Sequence, residues 1–194
     1  MIEYIRGRVA VLTPATATIE TSGGVAYLFH ISLPTFTSLE GKTEALLYAH
    51  ESIREDAWVL YGFADERERE LFRQLIGVSG VGAATAIIIL SALPGDDLAA
   101  VISSGDVKRL KAIKGIGAKT AERIIVDLRD KIKLSEGASI LSSASKSEAY
   151  EEATAALVML GFDKKTTLKV LDKLFGADPT LKVDTAIRKA LSMM

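Results

Sequence analysis

The sequence predicts an α+β chain of several small domains. It begins with a short-stranded β-barrel, continues into a helical block with a duplicated glycine turn, and ends with a linker and a three-helix unit. Three observations predict this. Up to Ala64 the apolar residues alternate with a two-residue period, and beyond it they follow helical spacing. The stretch "GVSGVGAATAIIIL" at 77–90 recurs 35 residues later as "AIKGIGAKTAERII" at 112–125. The run "SEGASILSSASKS" at 135–147 then interrupts all periodicity before a last amphipathic segment begins.

Residues 1–64 read as β. Val25, Tyr27, Phe29 and Ile31 alternate with Ala26, Leu28 and His30, and the preceding "SGG" supplies a hairpin turn. Similar runs at 2–11, 16–21, 25–31, 43–50 and 57–62 give five short strands. A sheet of that size hides its edges best by closing on itself, which gives a barrel of OB type, a shape often used to hold nucleic acid. In "ESIREDAWVLYGF", 51–63, Glu55 and Asp56 fall at the tip of the last hairpin.

Residues 65–134 read as helical. Asp65 is placed to cap the first helix, with Glu68 three residues on, and Leu71, Leu75 and Ile76 share a face. The uncharged stretch Gln74–Gly95 is interrupted by Gly77, Gly80 and Gly82 and ends after Pro94. Its apolar helix from Ala83 to about Leu93 is too short for a ~30 Å hydrocarbon layer and reads as a core helix. Further on, Ala121, Ile124, Ile125, Leu128 and Ile132 form an apolar stripe opposite Lys119, Glu122, Arg123 and Asp130. Residues 135–147, rich in Ser, Ala and Gly, read as a flexible tether. Residues 148–194 read as three helices, the first ending at Gly161, in a unit near the lower size limit for an unassisted core.

Composition narrows the chemistry. The 194 residues carry a net charge of −1, but residues 105–133 hold nine Lys/Arg against four Asp/Glu, while residues 1–64 hold four against seven. Positive charge is thus gathered around the second glycine turn, as expected for a polyanion partner. The absence of cysteine excludes disulfides, thiolate zinc sites and cysteine nucleophiles, and fits a reducing compartment. "MIEYIRGRVAV" has no apolar core of signal-peptide type, so a cytoplasmic location and no membrane partner are expected.

Gly80-Val81-Gly82 and Gly115-Ile116-Gly117 each precede an Ala-X-Thr-Ala helix start. Helix N-termini carry unpaired N–H groups and partial positive charge, and flanking glycines let an anion approach the backbone. A DNA phosphate suits such a pocket. Val81 and Ile116 are expected to point inward and anchor each turn. Lys119 and Arg123, four residues apart on one helix face, follow the second turn, so this copy is expected to carry more of the salt-dependent affinity. A nucleotide-binding loop is excluded because Ala118 and Ile113 stand where its glycines must be. Nor do clustered carboxylates suggest a metal-dependent nuclease: Glu122, Asp127 and Asp130 alternate with cations. The acids Glu55 and Asp56 repel phosphate, so beside a DNA-binding surface they suit separating strands rather than adding affinity.

Taken in order, "REDA" followed by "LYGF" at 60–63, "GVG" at 80–82, "GIGAKTAERIIVDLRDK" at 115–131 and "ALVMLGF" at 156–162 resemble the RuvA family, the Holliday junction branch-migration subunits of bacteria. The resemblance implies an OB-fold domain with an acidic pin over 1–64 and tandem helix-hairpin-helix motifs over 65–134. It further implies a flexible linker over 135–147 and a three-helix, UBA-like, motor-binding domain over 148–194. It implies a homotetramer, or two closing as an octamer, that holds an open four-way junction. By the same resemblance, Gly80, Gly82, Gly115, Gly117, Lys119, Thr120 and Arg123 hold phosphates, and Glu55 and Asp56 form the pin. Leu157, Leu160, Phe162 and Leu191 offer an apolar face to the ATPase motor RuvB, and the resolvase RuvC is a further partner. No catalytic residue, metal or cofactor is implied, ATP hydrolysis belonging to the motor. The sequence departs from the family at Ala84 and Ala118, where relatives often carry lysine, which could shift contacts toward Arg6, Arg8, Lys42, Arg54 and Lys114. A generic hairpin-motif DNA-binding adaptor of a repair nuclease is the alternative.

Overall fold

The computed structural model describes residues 1–140 and 148–193 and divides into two compact units, residues 1–134 and 135–194. In the first unit, strands β1 (Tyr4–Thr13), β2 (Thr16–Glu20), β3 (Ala26–Ile31), β4 (Glu44–Ile53) and β5 (Trp58–Phe63) close a barrel in the order β1-β2-β3-β5-β4. All pairs are antiparallel except β3 with β5. Alternation sends Ile5, Ala17, Ile19, Phe29, Ile31, Leu47, Ala49 and Leu60 inward, where they are buried together. β1 serves both β2 and β4, with an irregularity between Val9 and Val11 where its pairing shifts. Gly7 permits this crossing: a Cβ there would lie 2.2 Å from the Glu20 carbonyl oxygen.

Helix α1 (Leu33–Leu39) links β3 to β4. Its start is built from Ser32, whose hydroxyl accepts the Thr35 N–H, and from Pro34 in the first turn. Leu39 is buried in the barrel core, with Phe36 packed against it.

The helical block comprises α2 (Glu66–Ile76), α3 (Ala83–Ala92), α4 (Gly95–Ser104), α5 (Val107–Lys111) and α6 (Ala118–Ile140). Leu71, Phe72, Leu75, Ala86, Ile89, Leu90, Leu98, Ile102 and Leu110 share one core with the expected stripe Ala121, Ile124, Ile125 and Leu128. Phe63, the last residue of β5, belongs to the same core. No single helix among the described residues is long and apolar enough to cross a membrane, and α3 and α4 meet at 96°. α6 runs through Ile140, so the first six residues of the expected tether carry helical backbone. Residues 141–147 lie outside the described residues.

α2 is keyed to the barrel through Phe72 and Arg69 and to α1 through Glu68. Phe72 stacks on Phe63, Tyr61 and His50, with centroids 4.9, 5.1 and 5.1 Å away. Arg69, 2% exposed, donates to the Glu3 carbonyl at 3.0 Å, pairs with the Glu3 and Glu66 carboxylates, and sits 5.2 Å over the Tyr48 ring. Glu68 does not complete the expected reciprocal cap, although Asp65 does accept the Glu68 N–H at 2.7 Å. Its carboxylate turns into the protein instead and accepts the hydroxyls of Ser32 and Thr35, while Thr35 accepts the Ala64 N–H at 3.0 Å. One carboxylate thereby ties α2 to α1. Burial, joined by the cations of Arg73 and Arg69, lowers the pKa of His50 and favours its neutral ring against Phe72.

The second unit packs α7 (Glu148–Met159), α8 (Lys164–Ala177) and α9 (Val183–Leu191) around Tyr150, Ala153, Leu157, Leu171, Leu181, Ala186 and Ala190. Gly161 (φ 93°) ends α7: its N–H reaches the Val158 carbonyl and the Phe162 N–H reaches that of Leu157, a Schellman closure. Asp163 caps α8, and its bonds from the Thr166 backbone and hydroxyl hold its carboxyl below the ordinary range. The Tyr150 hydroxyl donates to Asp172 at 2.7 Å, pinning α7 to α8.

Burial raises the Glu68 carboxyl above its ordinary value of 4.5, outweighing its two hydroxyl donors. A raised carboxyl contributes stability that is complete below its unfolded pKa and is lost as the pH climbs through the folded one. The native chain should therefore lose stability relative to Glu68→Gln as the pH rises from 4.5 toward neutrality, measured by denaturant unfolding across a pH series. Glu68→Leu, which strands two buried hydroxyls, should cost about 1–3 kcal/mol for each.

Candidate nucleic-acid interface

The duplicated sequence folds into duplicated geometry. In the first turn, between α2 and α3, the Val78 N–H donates to the Leu75 carbonyl and the Val81 N–H to that of Val78, both at 3.0 Å. Thirty-five residues on, between α5 and α6, Ile113 donates to Leu110 and Ile116 to Ile113, both at 3.1 Å. Gly80 and Gly115 take φ of 90° and 91°, a region costly for any residue with a Cβ. Val81 and Ile116 are buried as expected and anchor each turn in the shared core.

The carbonyls of Gly82 and Gly117 accept the N–H groups of Ala86 and Ala121, opening the two following helices. Gly82 is the N-cap of α3 and supplies no side-chain partner, so the first amides of that helix are left without an intrahelical or capping bond. Gly80, Gly82, Gly115 and Gly117 are all exposed. A Cβ at Gly82, Gly115 or Gly117 would meet nothing within 4 Å, and one at Gly80 would meet only the Thr120 hydroxyl, at 3.9 Å. The two turns are therefore neighbours, and Thr120 of the second motif stands beside the first. Two amide-lined N-termini placed side by side can accept two successive anions of a chain.

Cations are unevenly shared between the motifs. Lys119 and Arg123 project from α6 into solvent, as does Lys114 from the preceding turn, and no ion pair among the described residues engages them. The first helix presents Ala84 and has no cation in its opening turns. Among the substitute cations, Arg8 is occupied by the Glu20 carboxylate, whereas Arg6, Lys42 and Arg54 are exposed without such a partner.

The acidic residues sit where the hairpin reading placed them. β4 and β5 pair up to Ile53↔Trp58, and the four-residue loop between them is closed by the Arg54 N–H donating to the Ala57 carbonyl at 2.8 Å. Glu55 and Asp56 occupy its middle and are exposed.

In the C-terminal unit the sequence expectation needs a correction. Leu157 is wholly buried among Ala153, Leu171 and Ala186, so it packs the core and offers no face to a partner. Phe162 is half-buried against that core. Leu160 and Leu191 are exposed, together with Val158, Met159 and Met193, which sequence reasoning did not single out. Helical periodicity marks Leu157 as apolar without telling a core position from a docking one.

Family models match the chain in three blocks: the RuvA N-terminal domain over residues 1–62, a SAM-like helix-hairpin-helix tandem over 72–130, and the RuvA C-terminal domain over 148–194. Among curated relatives named Holliday junction branch migration complex subunit RuvA, that of Bacteroides thetaiotaomicron is 48% identical over 202 residues, covering 100% of both chains. That of Porphyromonas gingivalis is 43% identical over 203 residues with the same coverage. That of Chlorobium luteolum is 42% identical over 198 residues, covering 100% of this chain and 98% of its own.

A Cβ at Gly115 would meet nothing within 4 Å, so what the fold requires of this residue is its backbone conformation alone. Gly115→Ala should lower stability by about 1–2 kcal/mol in equilibrium unfolding, through the positive φ.

Proposed function

The chain belongs to the RuvA family, and we propose that it is the DNA-holding subunit of a Holliday junction branch migration complex. Residues 1–64 form the barrel with the acidic pin, 65–134 the phosphate grip and 148–194 the motor-binding unit. Four copies, or eight as two closing tetramers, hold an open four-way junction in the cytoplasm. Gly80, Gly82, Gly115 and Gly117 present backbone amides to phosphates, with Thr120 between the turns and Lys119 and Arg123 along the continuing strand. Such contacts read backbone geometry and not base sequence. What supports this reading is the adjacency of two exposed glycine turns, anchored in a core that also takes in Phe63, the last residue of the strand that follows the hairpin bearing Glu55 and Asp56.

The subunit itself performs no bond-breaking step. It shapes the junction, and the RuvB motor supplies ATP hydrolysis. Leu160 and Leu191, with Val158, Met159 and Met193, are the exposed apolar side chains this unit has to offer that motor. RuvC acts on the same held junction.

A gel-shift comparison at moderate salt tests the reading. Preference for a four-way junction over linear duplex by about tenfold or more is expected, and a smaller ratio indicates a generic DNA-binding adaptor. The pin makes a second expectation. Unit charges about 4 Å apart in water repel by about 1 kcal/mol, roughly a fivefold change in binding. The double variant Glu55→Gln, Asp56→Asn should therefore bind the junction about fivefold tighter or more with duplex affinity unchanged. Weaker junction binding would remove the pin role.

A further inference from the structure

Trp58 is the chain's only tryptophan, and its side chain is 65% exposed. It opens β5 immediately after the acidic loop, opposite Ile53, which is 70% exposed. Beside it runs a shallow groove on the barrel between β3 and β5, lined by Tyr27, Leu28, His30, Trp58 and Val59. Leu28 is exposed as well. Nothing in the fold accounts for this surface: Trp58 and Ile53 are part of neither the barrel core nor the core of the helical block. Leaving an indole in water forgoes roughly 1.5–3 kcal/mol or more that burial would return.

The chemistry of the surroundings narrows the occupant. The groove lining contains no Lys or Arg, so it has nothing with which to hold a phosphate. Two residues before Trp58 the chain carries Asp56, and three before it Glu55, both exposed. Their two charges outweigh the one cation of the loop, Arg54, and repel the sugar–phosphate backbone at short range. Nucleic acid brought to this place must therefore turn its bases toward the protein. A base that has lost its pairing partner exposes a flat apolar face, and an indole is the side chain best matched to it. Stacking of this kind tolerates any base, as a junction that migrates through sequence requires.

We infer that Trp58, with the groove at its side, is a stacking platform for an unpaired nucleobase next to the acidic tip. The inference rests on the reading that places the tip at the crossover. The carboxylates keep backbones away while the indole receives a base released from one pair before it enters the next. Trp58 is thus a further DNA-contacting residue, distinct from the phosphate pockets of the helical block.

Because the chain has one tryptophan, emission excited at the red edge, where its five tyrosines do not absorb, reports on this residue alone. Full-length protein is titrated with a fluorescein-labelled four-way junction and, separately, with linear duplex of the same sequence. Anisotropy follows binding, and tryptophan emission follows stacking. Emission should fall about twofold or more as the junction saturates and stay level with duplex. Trp58→Ala should weaken junction binding about five- to a hundredfold, with duplex affinity within about twofold and the melting temperature retained, and Trp58→Phe should recover most of the loss. Saturating anisotropy with unchanged emission would overturn the inference. So would emission that reaches its final value on raising protein concentration without DNA, which would mean that a second copy covers the indole. Equal loss of duplex and junction affinity in Trp58→Ala would also overturn it. Should wild-type anisotropy itself show no junction binding, the underlying reading falls and takes this one with it, a result separable from unchanged emission on a bound junction.

Discussion

The seating of α2 on the barrel governs everything else in the first unit. Phe72 inserts its ring among Phe63, Tyr61 and His50, and two adjacent charged residues flank it. Glu68 reaches α1 through Ser32 and Thr35, and Arg69 reaches Glu3 and Tyr48. An aromatic contact alone is greasy and permits sliding. Buried charges do not, because each must keep its partners or bear a large desolvation cost. One acid and one base on neighbouring residues, the acid committed to α1 and the base to the barrel, fix α2 in rotation and in register. Since α2 leads directly into the first glycine turn, the same contacts set where the amide pockets stand relative to the acidic hairpin.

That rigid body divides its electrostatics between two elements. The helical block offers attraction through backbone amides and the cations of α6, and the barrel's hairpin offers repulsion through Glu55 and Asp56. A net charge of −1 hides this division entirely, because the opposing patches cancel in the sum. On the proposed reading, attraction from one element with repulsion from the other favours DNA that can part around the acidic hairpin, which a continuous duplex does only by giving up base pairs. Selectivity for an open junction can thus arise without a single base-reading contact.

The C-terminal unit obeys a different constraint. Its three helices must stabilise themselves with about the smallest core that suffices. Economy shows in the Schellman closure at Gly161, the Asp163 cap and the Tyr150–Asp172 bond, which fix ends and crossings that a larger core would fix by packing. With so few apolar side chains available, Leu157 is needed inside. Leu160 and Leu191 stay outside, exposed.

Local physics was enough for much of this. Strand alternation, the "SGG" turn, the Asp65 and Asp163 caps and the Gly161 stop act within a few residues, so the sequence by itself determined the five strands, the helical switch at Ala64 and the three C-terminal helices. The repeated Gly-X-Gly determined two turns of matching dihedral angles, because only glycine accepts φ near 90° without strain. Helix α1 was missed although Ser32 and Pro34 mark its start, because its seven residues are too few to show a period against the β pattern around it. Tertiary structure alone decided what depends on distant residues meeting. It turned Glu68 away from its own helix toward hydroxyls more than thirty residues away, set Thr120 beside Gly80, and drew Leu157 inward while leaving Leu160 outside. A side chain's local pattern states which partners it can satisfy; only the closed fold states which of them are within reach.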